Sequence, residues 1–101
     1  MAVAVSVDSG SVGSPVSLVT TVTLRKGANV YDALVATGLS VNARSSQFGT
    51  YVTGIGGLAE KAHGTTSGWT YYVNGVFVNK AASEISLSDG DAVSWVYVSG
   101  D

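Results

Sequence analysis

Apolar residues alternate with small or polar residues along much of the chain, and a period of two is typical of β-strands. Alternating valines predict a first strand over residues 2–8. A polar turn rich in Ser and Gly over residues 9–15 separates it from a second strand over residues 16–24. The second strand places most of its Val and Leu side chains on one face and Ser and Thr on the other. The chain therefore opens with two strands, the second having one solvated face.

The pattern changes once to that of a helix. Asn29 is suited to cap the helix start, and Asp32 lies favourably in the first turn. Gly38 is placed as a left-handed stop at the C-terminal end. A helix of about nine residues is marginal alone, so we expect it to be held by packing on a sheet.

A β-hairpin is the strongest local signal in the second half of the chain. Residues 69–73 are rich in aromatic side chains, residues 76–78 are apolar, and Asn74-Gly75 lies between them. Asn-Gly favours a tight hairpin turn because both turn residues need positive φ. Before this hairpin the pattern is weaker. Residues 39–50 show no regular period, a strand is predicted near residues 50–55, and residues 58–64 remain ambiguous.

The last part of the chain predicts a bridge or short strand at residues 85–87, a turn at residues 88–91 and a closing strand over residues 92–98. Both faces of the closing strand carry bulky side chains, which favours a central strand covered on both sides. A lone helix after two strands, followed by several more strands, indicates an α+β fold. We predict a β-grasp (ubiquitin-like) mixed sheet packed on one short helix, with the terminal strands meeting centrally.

Composition narrows the class of protein. The 101 residues fit one domain spanning residues 1–101. Only 12% of residues are charged, about half the average share, and cysteine is absent, which excludes disulfides and thiolate sites. The chain has no basic cluster for nucleic acid and no apolar run long enough for membrane insertion. The start has no basic region typical of a signal peptide. We expect an extracellular or cell-wall-anchored bacterial domain excised from a larger surface protein.

The sequence shows no recognisable catalytic constellation. There is no Gly-x-Ser-x-Gly elbow, and no phosphate-binding loop. We expect the lone histidine, His63, to be an exposed loop residue; the alternative is that it serves as an axial base to a corrinoid cobalt. Asp89 and Asp91 read as turn residues rather than calcium ligands. A self-formed Lys–Asn amide beside a buried acid is conceivable. We predict no catalytic residues and no protein-only metal site.

Four separated strings carry a resemblance to a known family. They are KGANVYDAL at residues 26–34, GTYVTGIGGL at 49–58, SGWTYYVNG at 67–75 and SDGDAVSW at 88–95. In this order and spacing they resemble the transcobalamin C-terminal-like domain family of bacterial surface proteins. The resemblance covers residues 17–98 and implies a β-grasp-like fold. In the animal cobalamin carriers the similar domain closes over the corrinoid from one side, and a larger helical domain holds the other side.

The resemblance also implies ligand-facing positions. Trp69, Tyr71 and Val78 fall on the predicted hairpin, and Thr53 and Ile55 fall beside the glycine-rich turn that follows their strand. The alternative reading makes these residues ordinary core and strand-exit positions.

Two functions therefore stay open. The first is a non-enzymatic binding or structural module that contacts neighbouring domains of the parent chain or a surface ligand and needs no cofactor. The second is cobalamin (corrinoid) binding as a half-site, which we expect to be weak because half of the contacts must offset the full association entropy.

Overall fold

The computed structural model describes residues 1–13 and 16–99, which form two sheets and one short α-helix. The strands are β1 (Ala2–Asp8), β2 (Ser17–Thr23), β3 (Val41–Ser46), β4 (Gly49–Ile55), β5 (Leu58–Ala59), β6 (Gly68–Val73), β7 (Val76–Val78) and β8 (Ala92–Val98). The helix α1 is Val30–Ala36, and 3₁₀ turns lie at Gly10–Val12 and Ala82–Glu84. The predicted turn at Ser14 and Pro15 lies outside the described residues.

The larger sheet has the strand order β2-β1-β8-β6-β7. The central strand β8 and its neighbour β1 come from opposite ends of the chain and run parallel, with Val5 beside Val93. The other pairings in this sheet are antiparallel. This arrangement confirms the predicted β-grasp-like α+β fold and the central meeting of the terminal strands.

The core lies between the larger sheet and α1. Every second residue of β1 and β8 is buried, and all of these except Tyr97 belong to one core cluster with the buried face of the helix. The fully buried members include Val3, Val5, Val7, Val30, Leu34, Val93 and Trp95. Helix formation thus depends on the sheet, as its short length predicts.

The helix begins as its sequence predicts. The Asn29 side chain accepts a hydrogen bond from the Asp32 N–H at 2.8 Å, and the Asp32 carboxylate accepts from the Asn29 N–H at 3.0 Å, which completes a capping box. Gly38 follows the end of the helix with φ of 85°. The helix has seven residues rather than about nine because Thr37 already serves as the C-cap.

The predicted hairpin is confirmed. Asn74 and Gly75 have φ of 52° and 83°, and they connect β6 to β7 with Tyr71 opposite Val78. Two positive φ values in a two-residue loop match the twist of the flanking strands.

The region of residues 39–50 differs from expectation, because it contains the strand β3. Strands β3, β4 and β5 form a separate sheet, so the family-resembling string at residues 49–58 lies outside the larger sheet. Almost every residue of β3 is exposed, so neither face needed apolar side chains and the sequence shows no alternation there. The ambiguous stretch after residue 57 begins with the two residues of β5.

The closing strand β8 is central, as predicted, but the expectation that both its faces are covered is wrong. Val93, Trp95 and Tyr97 are buried, whereas Val98 on the other face is 44% exposed and Val96 is half-buried. The outward valines reflect the preference of β-branched residues for strands rather than full burial.

Candidate functional site

A groove runs between the β3–β4 hairpin and the β6–β7 hairpin. Its deeper part, of about 130 Å³, is lined by Tyr51, Val52, Trp69, Thr70, Tyr71, Phe77, Val78, Asn79, Lys80, Ala82 and Trp95. A shallower part, of about 410 Å³, is lined by Gln47, Phe48, Tyr51, Asn79, Lys80, Ala81 and Glu84. The two parts share Tyr51, Asn79 and Lys80, so we describe them together as the inter-hairpin groove.

The wall formed by the β3–β4 hairpin exposes aromatic rings. Phe48, at the hairpin tip, is 64% exposed, and Tyr51 is also exposed. Burying an aromatic side chain is strongly favourable, and exposed apolar patches beside a concavity mark interaction sites. Phe77 lies at the opposite rim, where its ring packs edge-on against Tyr72 with centroids 5.7 Å apart.

Hydrogen bonds from aromatic side chains tie the second sheet to the larger one. The Trp69 indole N–H donates to the Leu58 carbonyl at 2.8 Å, and the Tyr97 hydroxyl donates to the Ala59 carbonyl at 2.8 Å. The two rings also meet edge to face, with centroids 5.2 Å apart. Since both acceptors belong to β5, these bonds fix β5 against β6 and β8, and the first of them holds the Trp69 ring that lines the groove.

Tyr71 and Trp95 form the deepest part of the floor. Their rings lie 4.8 Å apart, and the Tyr71 hydroxyl donates to the Lys80 carbonyl at 2.7 Å. Burial, and to a lesser degree the nearby Tyr51 phenol, raises the pKa of Tyr71 to about 12. Trp95 is only 2% exposed, and its indole N–H has no acceptor among the described residues. The floor is thus aromatic and uncharged at neutral pH.

Gly49 sets the position of the other wall. Its φ is 119°, and a Cβ atom there would lie 2.8 Å from the Ser83 Oγ and 2.9 Å from the Ala81 Cβ. The next residue, Thr50, donates its N–H to the same Ser83 Oγ at 2.8 Å. Only glycine lets β4 approach the 3₁₀ turn Ala82–Glu84 this closely, and this contact places Tyr51 over the groove.

The structure brings three of the five predicted site residues together. Trp69, Tyr71 and Val78 all line the deeper part of the groove. Thr53 is half-buried on β4 and does not line it; its carbonyl accepts from the Glu60 N–H at 2.7 Å. Ile55 is fully buried in the core, so its side chain faces no ligand-accessible surface.

Sequence reasoning did not assign Phe48, Tyr51, Asn79 or Lys80 to the site. One signal was available, because Phe48 stands in a turn between Gln47 and Gly49, where a large apolar side chain has no core to enter. The others depend on how the hairpins pack. Tyr51 and Lys80 are distant in sequence and meet only through the contact between β4 and the 3₁₀ turn.

Other residues considered for chemistry lie outside the groove. His63 is exposed in a loop, with its ring edge-on to Tyr97 at 5.8 Å. Asp89 accepts from the Ala2 N–H at 2.7 Å, and Asp91 accepts from the Ser88 N–H at 2.8 Å, so both carboxylates act as turn residues. A hydrogen bond from the Asn74 side chain and one from Ser88 lower the pKa of Asp91.

We examined residues 1–13 and 16–99 for a metal-binding cluster, a lysine cross-link site and a membrane-spanning helix. No cluster of three or more His, Asp or Glu side chains could hold a metal ion in this part of the chain. The three lysines are exposed, and no described carboxylate is buried beside them to promote an amide cross-link. The described helix is too short to cross a membrane.

Known structures share this fold at low sequence identity. A candidate metal-binding protein from Ruminococcus gnavus superposes with a TM-score of 0.77 at 22% identity, covering 99% of this chain and 98% of that one. Haptocorrin in complex with Cbi, a cobalamin analogue, superposes with a TM-score of 0.77 at 16% identity. That match covers 98% of this chain but 25% of haptocorrin. The predicted similarity to the transcobalamin C-terminal-like domain is therefore confirmed at the level of the fold.

Sequence comparison gives the family. No curated protein matches the chain. A family model described as "Domain of unknown function (DUF4430)" matches residues 27–99, which include α1 and every strand from β3 to β8. With most of its length matched, the chain belongs to the DUF4430 family.

Proposed function

We propose that this chain is a non-enzymatic binding module of an extracellular or cell-wall-anchored bacterial protein and that its ligand occupies the inter-hairpin groove. One observation carries the proposal: exposed Tyr51 lines the deeper part of the groove together with Trp69 and Tyr71, whose side chains are held by hydrogen bonds. Exposed Phe48 extends this aromatic lining into the adjoining shallower part. Side chains that are already hydrogen-bonded lose little conformational entropy on binding, and aromatic walls supply apolar contact area.

The lining favours one class of ligand. Aromatic and aliphatic side chains cover the floor, whereas Asn79, Lys80 and Glu84 add an amide and one charge of each sign to the lining. Such a groove suits a flat, mostly apolar ligand whose edge carries hydrogen-bonding groups. The groove is shallow and open along its length, so a single domain covers only one side of the ligand.

Composition supports the location. Few charges, many Ser, Thr and Gly residues and the absence of cysteine are compatible with an extracellular bacterial module that dispenses with disulfides. A surface module also fits the lack of a recognisable catalytic motif in the sequence.

A corrinoid is the second, more specific candidate. Haptocorrin in complex with Cbi shares the fold, and Trp69, Tyr71 and Val78 at the ligand-facing positions implied by the family resemblance all line the groove. This chain spans a quarter of haptocorrin. We therefore expect corrinoid binding by this domain alone to be much weaker than binding between two domains.

Fluorescence offers a direct test, because the chain has two tryptophans and both line the groove. The first probe is 8-anilinonaphthalene-1-sulfonate, a flat aromatic anion, followed through its own emission and that of tryptophan. Tyr51→Ala and Phe48→Ala should each weaken binding about tenfold, which corresponds to about 1.4 kcal/mol. Val35→Ala is the control, because Val35 is an exposed apolar residue on α1. Equal affinity in all three variants and the parent would refute the groove as the site.

Cyanocobalamin is the second probe, with heat measured by calorimetry because the corrinoid absorbs light. Heat that saturates and is lost in Tyr51→Ala supports a corrinoid ligand. No heat up to millimolar concentration eliminates corrinoid binding by the domain alone. The dye titration still decides whether the groove binds anything, so the two hypotheses fail separately.

A further inference from the structure

Strand β2 is an outer edge of the larger sheet, with only β1 beside it. The Leu24 N–H donates to the Met1 carbonyl at 2.8 Å, and the Ser9 N–H donates to the Val16 carbonyl at 3.1 Å. The even-numbered residues of β2 thus direct their backbone groups toward β1, with Val22 opposite Val3. In an antiparallel ladder the alternate residues point the other way. The backbone N–H and C=O groups of the odd-numbered residues 17–23 therefore face outward.

The other edge strands have features that natural proteins use to prevent an edge strand from pairing with another chain. Strand β5 has two residues and β7 has three. Strand β3 is longer, but its register shifts between Asn42 and Ala43 and it carries Arg44. By contrast, β2 has seven residues in unbroken register, with no charge, proline or bulge.

The side chains of β2 also suit pairing. Val19, in the middle of the strand, is 85% exposed, more than any other large apolar residue in the described part of the chain. Its neighbours on the same face, Ser17 and Thr21, are small, uncharged and exposed. An uncharged edge with a central exposed valine is a template for adding a strand.

We infer that β2 pairs antiparallel with β2 of a second copy of this chain, about a two-fold axis at Thr20. This register matches both ends of the strand: Ser17 lies opposite the partner's Thr23, and Val19 lies opposite the partner's Thr21. All outward backbone groups are then paired, in about eight hydrogen bonds. The two Val19 side chains become diagonal neighbours on one face, close enough for contact.

A second copy fits this edge because the strand is self-complementary. Each copy carries a net charge of −2, yet β2 itself brings no charge to the axis, so pairing places no like charges together. Seven residues at about 3.3 Å each bury only roughly 300 Å² per copy, which is the size of a weak, transient contact. The dimer should therefore form at high local concentration, such as on a crowded surface.

Disulfide trapping tests both the contact and its register. The natural chain has no cysteine, so Thr20→Cys introduces its only thiol. In the proposed dimer the two residues form a non-hydrogen-bonded pair with Cα atoms about 4.5 Å apart, within the range a disulfide spans. The control is Thr23→Cys on the same strand, whose thiols would lie about 20 Å apart. Under mild oxidation, Thr20→Cys should form dimers at least tenfold faster than Thr23→Cys.

A second measurement avoids dependence on the cysteine variants. Sedimentation of the parent chain from micromolar to millimolar concentration should show reversible dimers. Val19→Lys should abolish them by placing two ammonium groups across the axis, whereas Val35→Lys on α1 should leave them unchanged. Equal cross-linking rates for the two cysteine variants, or a parent chain that stays monomeric at millimolar concentration, would overturn the proposal.

Discussion

Replacing Gly49 with alanine tests how the groove wall is positioned. The new Cβ would lie 2.8 Å from the Ser83 Oγ and 2.9 Å from the Ala81 Cβ, closer than real Cβ contacts allow. Alanine would also have to adopt a φ of 119°, a backbone conformation that residues other than glycine rarely adopt. Either the strain is kept, or the β3–β4 hairpin moves away from the 3₁₀ turn.

The estimated free-energy costs favour movement of the hairpin over retention of the strained position. Keeping the native position costs about 1–3 kcal/mol for overpacking and about 1–3 kcal/mol for backbone strain. Moving the hairpin loses the hydrogen bond between Thr50 and Ser83, worth about 1 kcal/mol, and some burial. The C-terminal end of β4 is anchored by Ile55, which is fully buried in the core, whereas β3 is exposed along almost its whole length, so we expect the movement to be confined to the tip of the hairpin. We expect a net loss of about 2 kcal/mol, or a Tm lower by about 8 °C at about 4 °C per kcal/mol.

The assay combines thermal melting with the dye titration of the groove. Gly75→Ala is the matched control: its φ is 83°, but no heavy atom lies within 4 Å of the added Cβ. It should cost about 1 kcal/mol through backbone strain alone and leave dye affinity unchanged. Gly49→Ala should lower both Tm and dye affinity. Equal Tm losses in the two variants, with unchanged dye affinity, would refute the role assigned to Gly49.

Three further predictions concern the scaffold. Asn29→Ala should destabilise the fold by about 1 kcal/mol through loss of the capping box, measured as a shift in the denaturation midpoint. Because the pKa of Tyr71 in the folded protein is raised to about 12, its contribution to stability is present below about pH 10 and declines as the pH rises toward 12. Tyr71→Phe should remove that decline, and a variant whose melting temperature falls with alkaline pH as the parent's does would contradict the prediction. Because the pKa of Asp91 in the folded protein is lowered, its contribution to stability is present above the ordinary aspartate pKa and is lost as the pH falls. Asp91→Asn should make the melting temperature less sensitive to acid, and an acid melting profile equal to the parent's would argue against this role.

The elements that the sequence predicted correctly depend on local chemistry. The capping box at Asn29 and the Asn74-Gly75 turn each follow from a few adjacent residues. Part of the similarity to the family has a structural role. Asn74 accepts from the Ala92 N–H at 2.9 Å and donates to Asp91 at 3.0 Å, so the third and fourth strings hold each other in place.

Elements that depend on distant contacts could not be predicted in the same way. Strand β3 projects from the core with both faces exposed, so neither burial nor alternation marks it in the sequence. Trp69, Tyr71 and Val78 were predicted as ligand-facing from the family resemblance, and they lie together because they share one face of the β6–β7 hairpin. Tyr51 and Lys80 were not predicted, because their proximity is created by the close approach of Gly49 to the 3₁₀ turn.

A backbone amide NMR titration with 8-anilinonaphthalene-1-sulfonate would test most directly whether the inter-hairpin groove binds ligands. The account predicts that the largest shifts fall in residues 47–52, 69–71 and 77–82, with little change in β1 and β2. Shifts concentrated on α1 or on the outer face of the larger sheet, or none at saturating dye, would contradict it.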